Sequence, residues 1–195
     1  MSPKKTKTGL FFGSFNPIHL GHLMIAGYMA EFTDLTAVWF IVSPQNPLND
    51  KRQLLPGLNR LYMANLAVED EPRFHASTVE FHLPEPSYTV DTVRALRAQH
   101  PGKEFVILAG SDILPSLSQW KSHEQLLDLC RFYIYPRKDA ETGAFDSHPR
   151  MTFVGAPLIG ISSSFIREGI RNGRNMQVFL PVKVWNYIEE MGFYR

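Results

Sequence analysis

Short apolar runs alternate with helical patterns along the whole chain. The run GLFF is followed by HLGHLMIAGYMAEF, whose apolar residues recur every three or four positions, and then by the β-rich run TAVWFIVS. Further along, KEFVILAGSD has the nearly continuous apolar character of a strand that is buried on both faces of a parallel sheet. Strands that alternate with helices in this way predict an α/β fold with a doubly wound parallel sheet.

Polar clusters follow several of these predicted strands. They lie at residues 13–22, 43–51, 110–112 and 161–167. In doubly wound sheets, ligands bind beyond the carboxyl ends of the strands. We therefore expect the four clusters to form one site at one edge of the sheet.

Length and composition indicate a single globular domain over residues 1–195, with residues 1–7 as a frayed basic tail. The net charge of +1 provides no overall field for nucleic acid or an anionic membrane, so neither is an expected partner. The single cysteine, Cys130, excludes an internal disulfide. The apolar run after the basic start is too short for a signal peptide, and no later run would span a membrane. We expect a cytoplasmic protein.

The stretch GSFNPIHLGH joins the first predicted strand to the first helix. Gly13 allows a backbone to approach a ligand closely, Pro17 stiffens the turn, and the helix N-terminus offers amides to an anion. His19 and His22 can both point at that anion. Alternatively, His19 caps the helix and His22 is a surface residue. No helical Glu or third ligand supports a zinc site, and the absence of G-x-G-x-x-G disfavours an oxidoreductase.

The stretch GISSSFIREGIR combines a serine cap, at Ser162 or Ser163, with a polar helix face that carries Ser164, Arg167 and Arg171. Amides, hydroxyls and guanidinium groups together suit a polyphosphate. A serine-capped helix with solvated arginines is the simpler alternative.

Two further candidates follow the apolar strand that ends in AGSD. Asp112 could bind ribose hydroxyls or Mg²⁺, or merely cap a helix. Trp120 could stack on a ligand ring or serve as half-buried packing. In EPSYTVDTVRALRAQHPG we expect a helix with Thr89 as its N-cap.

Taken together, the motifs resemble those of a known family. GSFNPIHLGH resembles the H-x-G-H signature of the nucleotidyltransferases. ISSSFIR is similar to the I-S-[ST]-[ST]-x-I-R signature of bacterial nicotinic acid mononucleotide adenylyltransferases, and EPSYTVDT to their P-S-Y-T segment. GSD with Trp120 matches their G-x-D and spaced tryptophan. The motifs occur in the family's order from Gly9 to Arg195.

The resemblance implies a Rossmann-like nucleotidyltransferase fold and an enzyme that transfers AMP from ATP to nicotinate mononucleotide, with Mg²⁺ accompanying ATP and no protein-bound metal. It implies that the catalytic residues are His19, His22 and Arg167. The implied ATP-binding residues are Gly13, Ser14, Phe15, His19, His22, Gly110, Asp112, Ile161, Ser163, Ser164 and Arg167. The implied acceptor-binding residues are Tyr88, Thr89, Trp120 and Lys121, with Trp120 on the pyridine ring and the others near the nicotinate carboxylate.

Three positions depart from the family pattern. Phe12 stands where the family usually has the first of two glycines, and Asn16 stands where it usually has aspartate. The loop PQNPLNDK lacks the family's usual histidine, which leaves Lys51 as its cation.

Other functions stay open at this point. Within the fold they are a phosphopantetheine adenylyltransferase, whose chains are shorter and lack P-S-Y-T, and an enzyme that prefers the amide mononucleotide. A regulatory nucleotide-binding module is disfavoured because His19, His22 and Arg167 are all present. A metal-binding protein is the last alternative. The sequence leaves the oligomeric state open.

Overall fold

The computed structural model describes residues 6–44, 54–138, 143 and 145–195. The strands are β1 (Thr6–Gly13), β2 (Ala37–Val42), β3 (Phe74–Ser77), β4 (Lys103–Gly110), β5 (Arg131–Tyr135) and β6 (Met151–Phe153). The helices are α1 (Leu20–Phe32), α2 (Gly57–Val68), α3 (Thr89–Gln99), α4 (His123–Leu129), α5 (Ser163–Arg171) and α6 (Val182–Met191). Short 3-10 helices cover Val79–His82, Ser111–Gln119 and Gln177–Phe179.

The six strands form one parallel sheet in the order β3-β2-β1-β4-β5-β6. The strand order reverses between β1 and β4, which are neighbours although β2 and β3 lie between them in sequence. This reversal creates the crevice in which doubly wound folds bind nucleotides, at the carboxyl ends of the strands. The predicted α/β fold with a parallel sheet is confirmed.

Successive residues of the strands enter two separate hydrophobic cores. In β1, Leu10 belongs to one core and Phe11 to the other; in β5, Phe132 and Tyr133 divide in the same way. This follows from the two-residue period of a strand, with both faces covered by helices. Residues of α1, α2, α5 and α6 pack in the core that contains Phe11, and residues of α3 and α4 pack in the other.

The first strand begins earlier than predicted. Thr6 and Lys7, which we expected in a frayed tail, are part of β1 and pair with the start of β4. Lys7 also donates a hydrogen bond to Asp34. The strand pairing with β4 and this ion pair order both residues, which the composition had assigned to the tail.

No helix in the part of the chain that the structure describes is both long enough and apolar enough to cross a membrane.

Candidate active site

The loop after β1 is shaped by the packing of Phe15. This residue has a φ of 46°, in the left-handed region, and only 2% of its surface is exposed. A Cβ on Gly13 would lie 2.9 Å from the Phe15 ring, so this position requires glycine. Phe12, which departs from the family pattern, packs in the opposite core and leaves this contact undisturbed. The loop therefore needs Gly13 but not a second glycine.

His19 and His22 form a stacked pair at the start of α1. Their ring centroids are 3.7 Å apart with an interplanar angle of 27°. The His19 amide donates to Nδ1 of His22 over 3.2 Å, so a neutral His22 carries its proton on Nε2. His19 is 3% exposed, and its buried Nδ1 has no hydrogen-bond partner among the described residues. The helix start thus fixes Nε2 of His22 as a donor and leaves Nδ1 of His19 available for a hydrogen bond to a ligand.

Burial and positive charge keep both imidazoles neutral. Burial, and then the charge of Arg137, lower the pKa of His19 to about 4. Burial, His19 and Arg137, in that order, lower the pKa of His22 well below its usual value. At neutral pH the pair therefore offers uncharged N–H donors beside a guanidinium. An anion placed between them would favour protonation.

Arg137 is a site residue that sequence reasoning missed. It follows β5 and lines, with both histidines, a cavity of about 220 Å³. Its amide donates to the Ser111 hydroxyl over 2.9 Å, and its Nε lies 3.7 Å from the Asp112 carboxylate. A Cβ on Gly110 would collide with the side chains of both Asp112 and Arg137. The glycine at the end of β4 therefore permits this approach.

Helix α5 is docked onto the loop after β1. Ser162 caps the helix by accepting a hydrogen bond from the Phe165 amide. The Ser163 hydroxyl donates to the carbonyl of Pro17 over 2.9 Å, so in this state it holds the two segments together. Ile161 and Ser163 line the cavity that contains the histidines. The helix N-terminus, which carries unpaired amides and a partial positive charge, is thereby brought to the same site.

Arg167 projects from α5 to the same loop. Its Nη1 donates to the carbonyl of Asn16 over 2.8 Å, and its Nη2 donates to the Ser164 hydroxyl over 3.3 Å. Ser164, Arg167 and Arg171 line a second cavity, of about 310 Å³. The sequence prediction that these three side chains share one face of the helix is confirmed.

Asn16 connects distant parts of the chain. It is 1% exposed, and its Oδ1 accepts hydrogen bonds from the Tyr194 hydroxyl at 2.9 Å and the Leu55 amide at 3.3 Å. An amide oxygen accepts these bonds without placing a charge in the protein interior, as the family's usual aspartate would.

Arg60, in α2, holds the backbone behind the site. Its side chain is fully buried and donates to the carbonyls of Ser14, Ser43, Pro44 and Leu55 over 2.6 to 2.9 Å. Ser14, predicted to bind ATP, therefore contributes its carbonyl to this network. The helical pattern of NRLYMANLAV gave no signal that its arginine points inward.

A second group of predicted residues lies at the start of α3. The helix begins at Thr89, and Tyr88 rather than Thr89 occupies the N-cap position. The Lys121 ammonium lies 4.2 Å from the centroid of the Tyr88 ring and 2.9 Å from the Asp91 carboxylate. Trp120 is half-buried and packs against the core below. A cation, two aromatic rings and a helix N-terminus are thus gathered in one place.

Glu80 lies beneath this second group. It is 2% exposed; its Oε1 accepts a hydrogen bond from Thr92 over 2.8 Å, and its Oε2 has no hydrogen bond within the described residues. Burial raises the pKa of Glu80, an effect opposed by the hydroxyls of Ser43, Thr92 and Ser87. The buried carboxyl links the start of α3 to the end of β2.

The structure thus divides the predicted residues into two groups at one edge of the sheet. His19, His22, Ile161 and Ser163 share the first cavity, while Ser164 and Arg167 line the second. Tyr88, Thr89, Trp120 and Lys121 form the other group, and neither cavity includes them. Lys51 lies outside the described residues.

Comparison with known proteins places this arrangement among related chains. The family model described as cytidylyltransferase-like matches residues 10–169. A probable nicotinate-nucleotide adenylyltransferase of Flavobacterium psychrophilum is 47% identical over 191 residues, covering 97% of this chain and 99% of that protein. One of the same name from Bacteroides thetaiotaomicron is 42% identical over 186 residues, covering 95% and 92%.

Among solved structures, the nicotinic acid mononucleotide adenylyltransferase of Plasmodium falciparum complexed with NaAD has a TM-score of 0.82 and covers 97% of each chain. The two sequences are 19% identical, so this likeness concerns the fold.

Proposed function

The chain belongs to the cytidylyltransferase-like family, as a nicotinate-nucleotide adenylyltransferase, and from that premise we propose how its residues join ATP to nicotinate mononucleotide. The products are nicotinate adenine dinucleotide and pyrophosphate, on the route to NAD. The observation that carries the residue assignment is the stacked histidine pair, which shares one cavity with Arg137 and the N-terminus of α5. The neutral histidines supply N–H donors, and Arg137 and the helix N-terminus supply positive charge.

The phosphate of nicotinate mononucleotide attacks the α-phosphorus of ATP in line. One P–O bond forms to the acceptor phosphate, the bond between the α-phosphorus and the β-bridging oxygen breaks, and pyrophosphate leaves with the electron pair. The nucleophile is already ionised, so no proton needs to be removed. Catalysis then consists of positioning and charge stabilisation.

The histidine pair and α5 divide the work on the triphosphate. His22 directs an Nε2 proton at charge that develops on the transferred phosphate, and His19 acts beside it. The amides of Ser163 and Ser164 and the guanidinium of Arg167 hold the phosphates that leave. In the ATP complex the phosphates replace the bond from Nη2 of Arg167 to Ser164, while Nη1 keeps its bond to the Asn16 carbonyl, which orients the guanidinium.

The nucleoside of ATP lies near β4. Asp112 receives ribose hydroxyls, and Gly110 lets the nucleotide approach the backbone. The loop from Gly13 to Phe15 and the side chain of Ile161 complete the surroundings of ATP.

The other group selects the acceptor. Trp120 stacks on the pyridine ring, and the carboxylate lies at the start of α3 near Tyr88, Thr89 and Lys121. A helix N-terminus and an ammonium both favour a carboxylate over a neutral amide. This supports preference for the acid over the amide mononucleotide, and disfavours phosphopantetheine.

Magnesium enters with the substrate, as Mg–ATP. The described residues include no group of three His, Cys, Asp or Glu side chains arranged to hold a metal ion. Mg²⁺ bound to the phosphate oxygens of ATP would neutralise charge on the triphosphate. A cytoplasmic location stays a prediction from the sequence.

The proposal is tested by incubating the protein with Mg–ATP and, separately, nicotinate mononucleotide, its amide analogue and phosphopantetheine. Mass spectrometry should identify nicotinate adenine dinucleotide as the preferred product. Comparable or higher kcat/KM with the amide would contradict the role of the α3 start. Binding of ATP without any product would instead support a regulatory module.

A further inference from the structure

The chain turns back toward the active site after α6. Gly192 ends the helix with a φ of 63°, and the Phe193 amide donates to the carbonyl of Ile188 over 3.1 Å, a return bond typical of a Schellman ending. The next residue, Tyr194, also has a positive φ, of 68°. That conformation is uncommon for a residue with a large side chain and persists only where other contacts hold it.

The contact that holds Tyr194 is made to the loop after β1. Its hydroxyl donates to Oδ1 of Asn16 over 2.9 Å, joining positions 178 residues apart. The ring packs beside Phe193 against the core that contains α1, α2 and α6. Burial raises the pKa of Tyr194, so the hydroxyl keeps its proton and remains a donor.

Asn16 transmits this contact to the ATP side of the site. The same residue that accepts from Tyr194 through its side chain accepts from Arg167 through its carbonyl. The next carbonyl, of Pro17, accepts from Ser163. One side-chain hydrogen bond thus fixes the orientation of the backbone onto which α5 is docked.

We propose that Tyr194 is a positioning residue for ATP: its hydroxyl fixes Asn16, and Asn16 fixes the guanidinium of Arg167. The inference rests on the proposed function, in which Arg167 holds the triphosphate. Tyr194 itself touches no reacting atom. Its effect should therefore appear in the binding of ATP and in kcat, and not in the binding of the acceptor.

Tyr194→Phe tests this because it keeps the ring and removes only the hydroxyl. Calorimetric titration with Mg–ATP should give a Kd that is about two- to tenfold weaker than that of the wild type, the range that one hydrogen bond supports. In the steady state, the KM of ATP should rise and kcat should fall, while the KM of nicotinate mononucleotide stays unchanged.

Tyr187→Phe is the matched control. Tyr187 lies on α6, and its ring packs against Tyr62 and Phe193 rather than against the loop. This variant should match the wild type in Kd and in both KM values. Equal ATP affinities for Tyr194→Phe and the wild type would overturn the inference, and so would a Tyr194→Phe protein that circular dichroism shows to be unfolded.

A double-mutant cycle with Asn16→Ala identifies the path. If Tyr194 acts through Asn16, the two substitutions together should weaken ATP binding by little more than Asn16→Ala alone. Additive losses would show that Tyr194 acts elsewhere. Calorimetry also separates this inference from the proposed function. A wild type that binds ATP but forms no product would refute the proposed reaction, while the Kd values would still decide the role of Tyr194.

Discussion

Acid should destabilise this protein through its buried histidine pair. The pKa of His19 falls from an ordinary value of 6.5 to about 4 in the folded protein, chiefly because the ring is buried. At pH values between about 4 and 6.5, His19 is therefore protonated in the unfolded chain and neutral in the folded protein. Stability is full above about pH 6.5 and falls as the pH drops toward 4.

The size of the loss follows from the two pKa values. At about pH 5 the unfolded imidazole is almost fully protonated and the folded one about a tenth protonated, which lowers the free energy of unfolding by about 2 kcal/mol relative to pH 8. His22 adds to this loss, because its pKa is lowered in the same direction.

Urea unfolding of the wild type and His19→Gln, followed by circular dichroism between about pH 8 and about pH 5, measures this directly. The difference between the two free energies isolates the contribution of His19, together with its effect on the pKa of His22. We expect the variant to lose about 2 kcal/mol less than the wild type over this range. Parallel pH profiles for the two proteins would refute the reasoning.

Three further results are expected. His22→Ala should lower kcat by a factor of about 10² to 10³ with little change in the KM of ATP, since its donor acts on charge present mainly in the transition state. Steady-state kinetics measure this, and a near-normal kcat in a variant that circular dichroism shows to be folded would contradict the role of His22. Arg167→Lys should weaken ATP binding by calorimetry more than Arg171→Lys, which lies one turn further from the helix start; a larger loss at Arg171 would mean that the triphosphate lies elsewhere. Glu80→Gln should become more stable relative to the wild type as the pH rises from about 4 to about 8, because burial raises the pKa of Glu80 and its ionisation then opposes folding. Urea unfolding measures the difference in the free energy of unfolding between the two proteins, and a difference that shifts in favour of the wild type as the pH rises would contradict this.

The sheet could be predicted because its pattern is local. The apolar runs that became β1, β2, β4 and β5 are buried on both faces, and such strands differ plainly from amphipathic helices in sequence. The clusters after these strands then had to share one edge. The inference that clusters after parallel strands share one edge correctly placed His19, His22 and Ser163 together, and they line one cavity. Their roles stay predictions.

The supporting residues could not be predicted because their partners are distant. Arg60 looks like a surface cation on an amphipathic helix, yet its acceptors are carbonyls of two loops, those after β1 and β2. Tyr194 meets Asn16 across 178 positions, and no local pattern records such a pair. Arg137 did have a signal: it is a charged residue two positions after the end of a buried strand, as Asp112 is after β4.

The carbonyl cage around Arg60 has a consequence for how this enzyme tolerates change. Pro44 and Leu55, whose carbonyls flank the segment between them, are both bound by the same guanidinium. A cation within one helix therefore pins the two ends of that segment, as a bound metal ion would do in another protein. The entropic cost of closing a loop grows only slowly with its length. We therefore expect that residues can be inserted, removed or exchanged between the two bound carbonyls without moving the loop after β1, because the same guanidinium holds that loop through the Ser14 carbonyl.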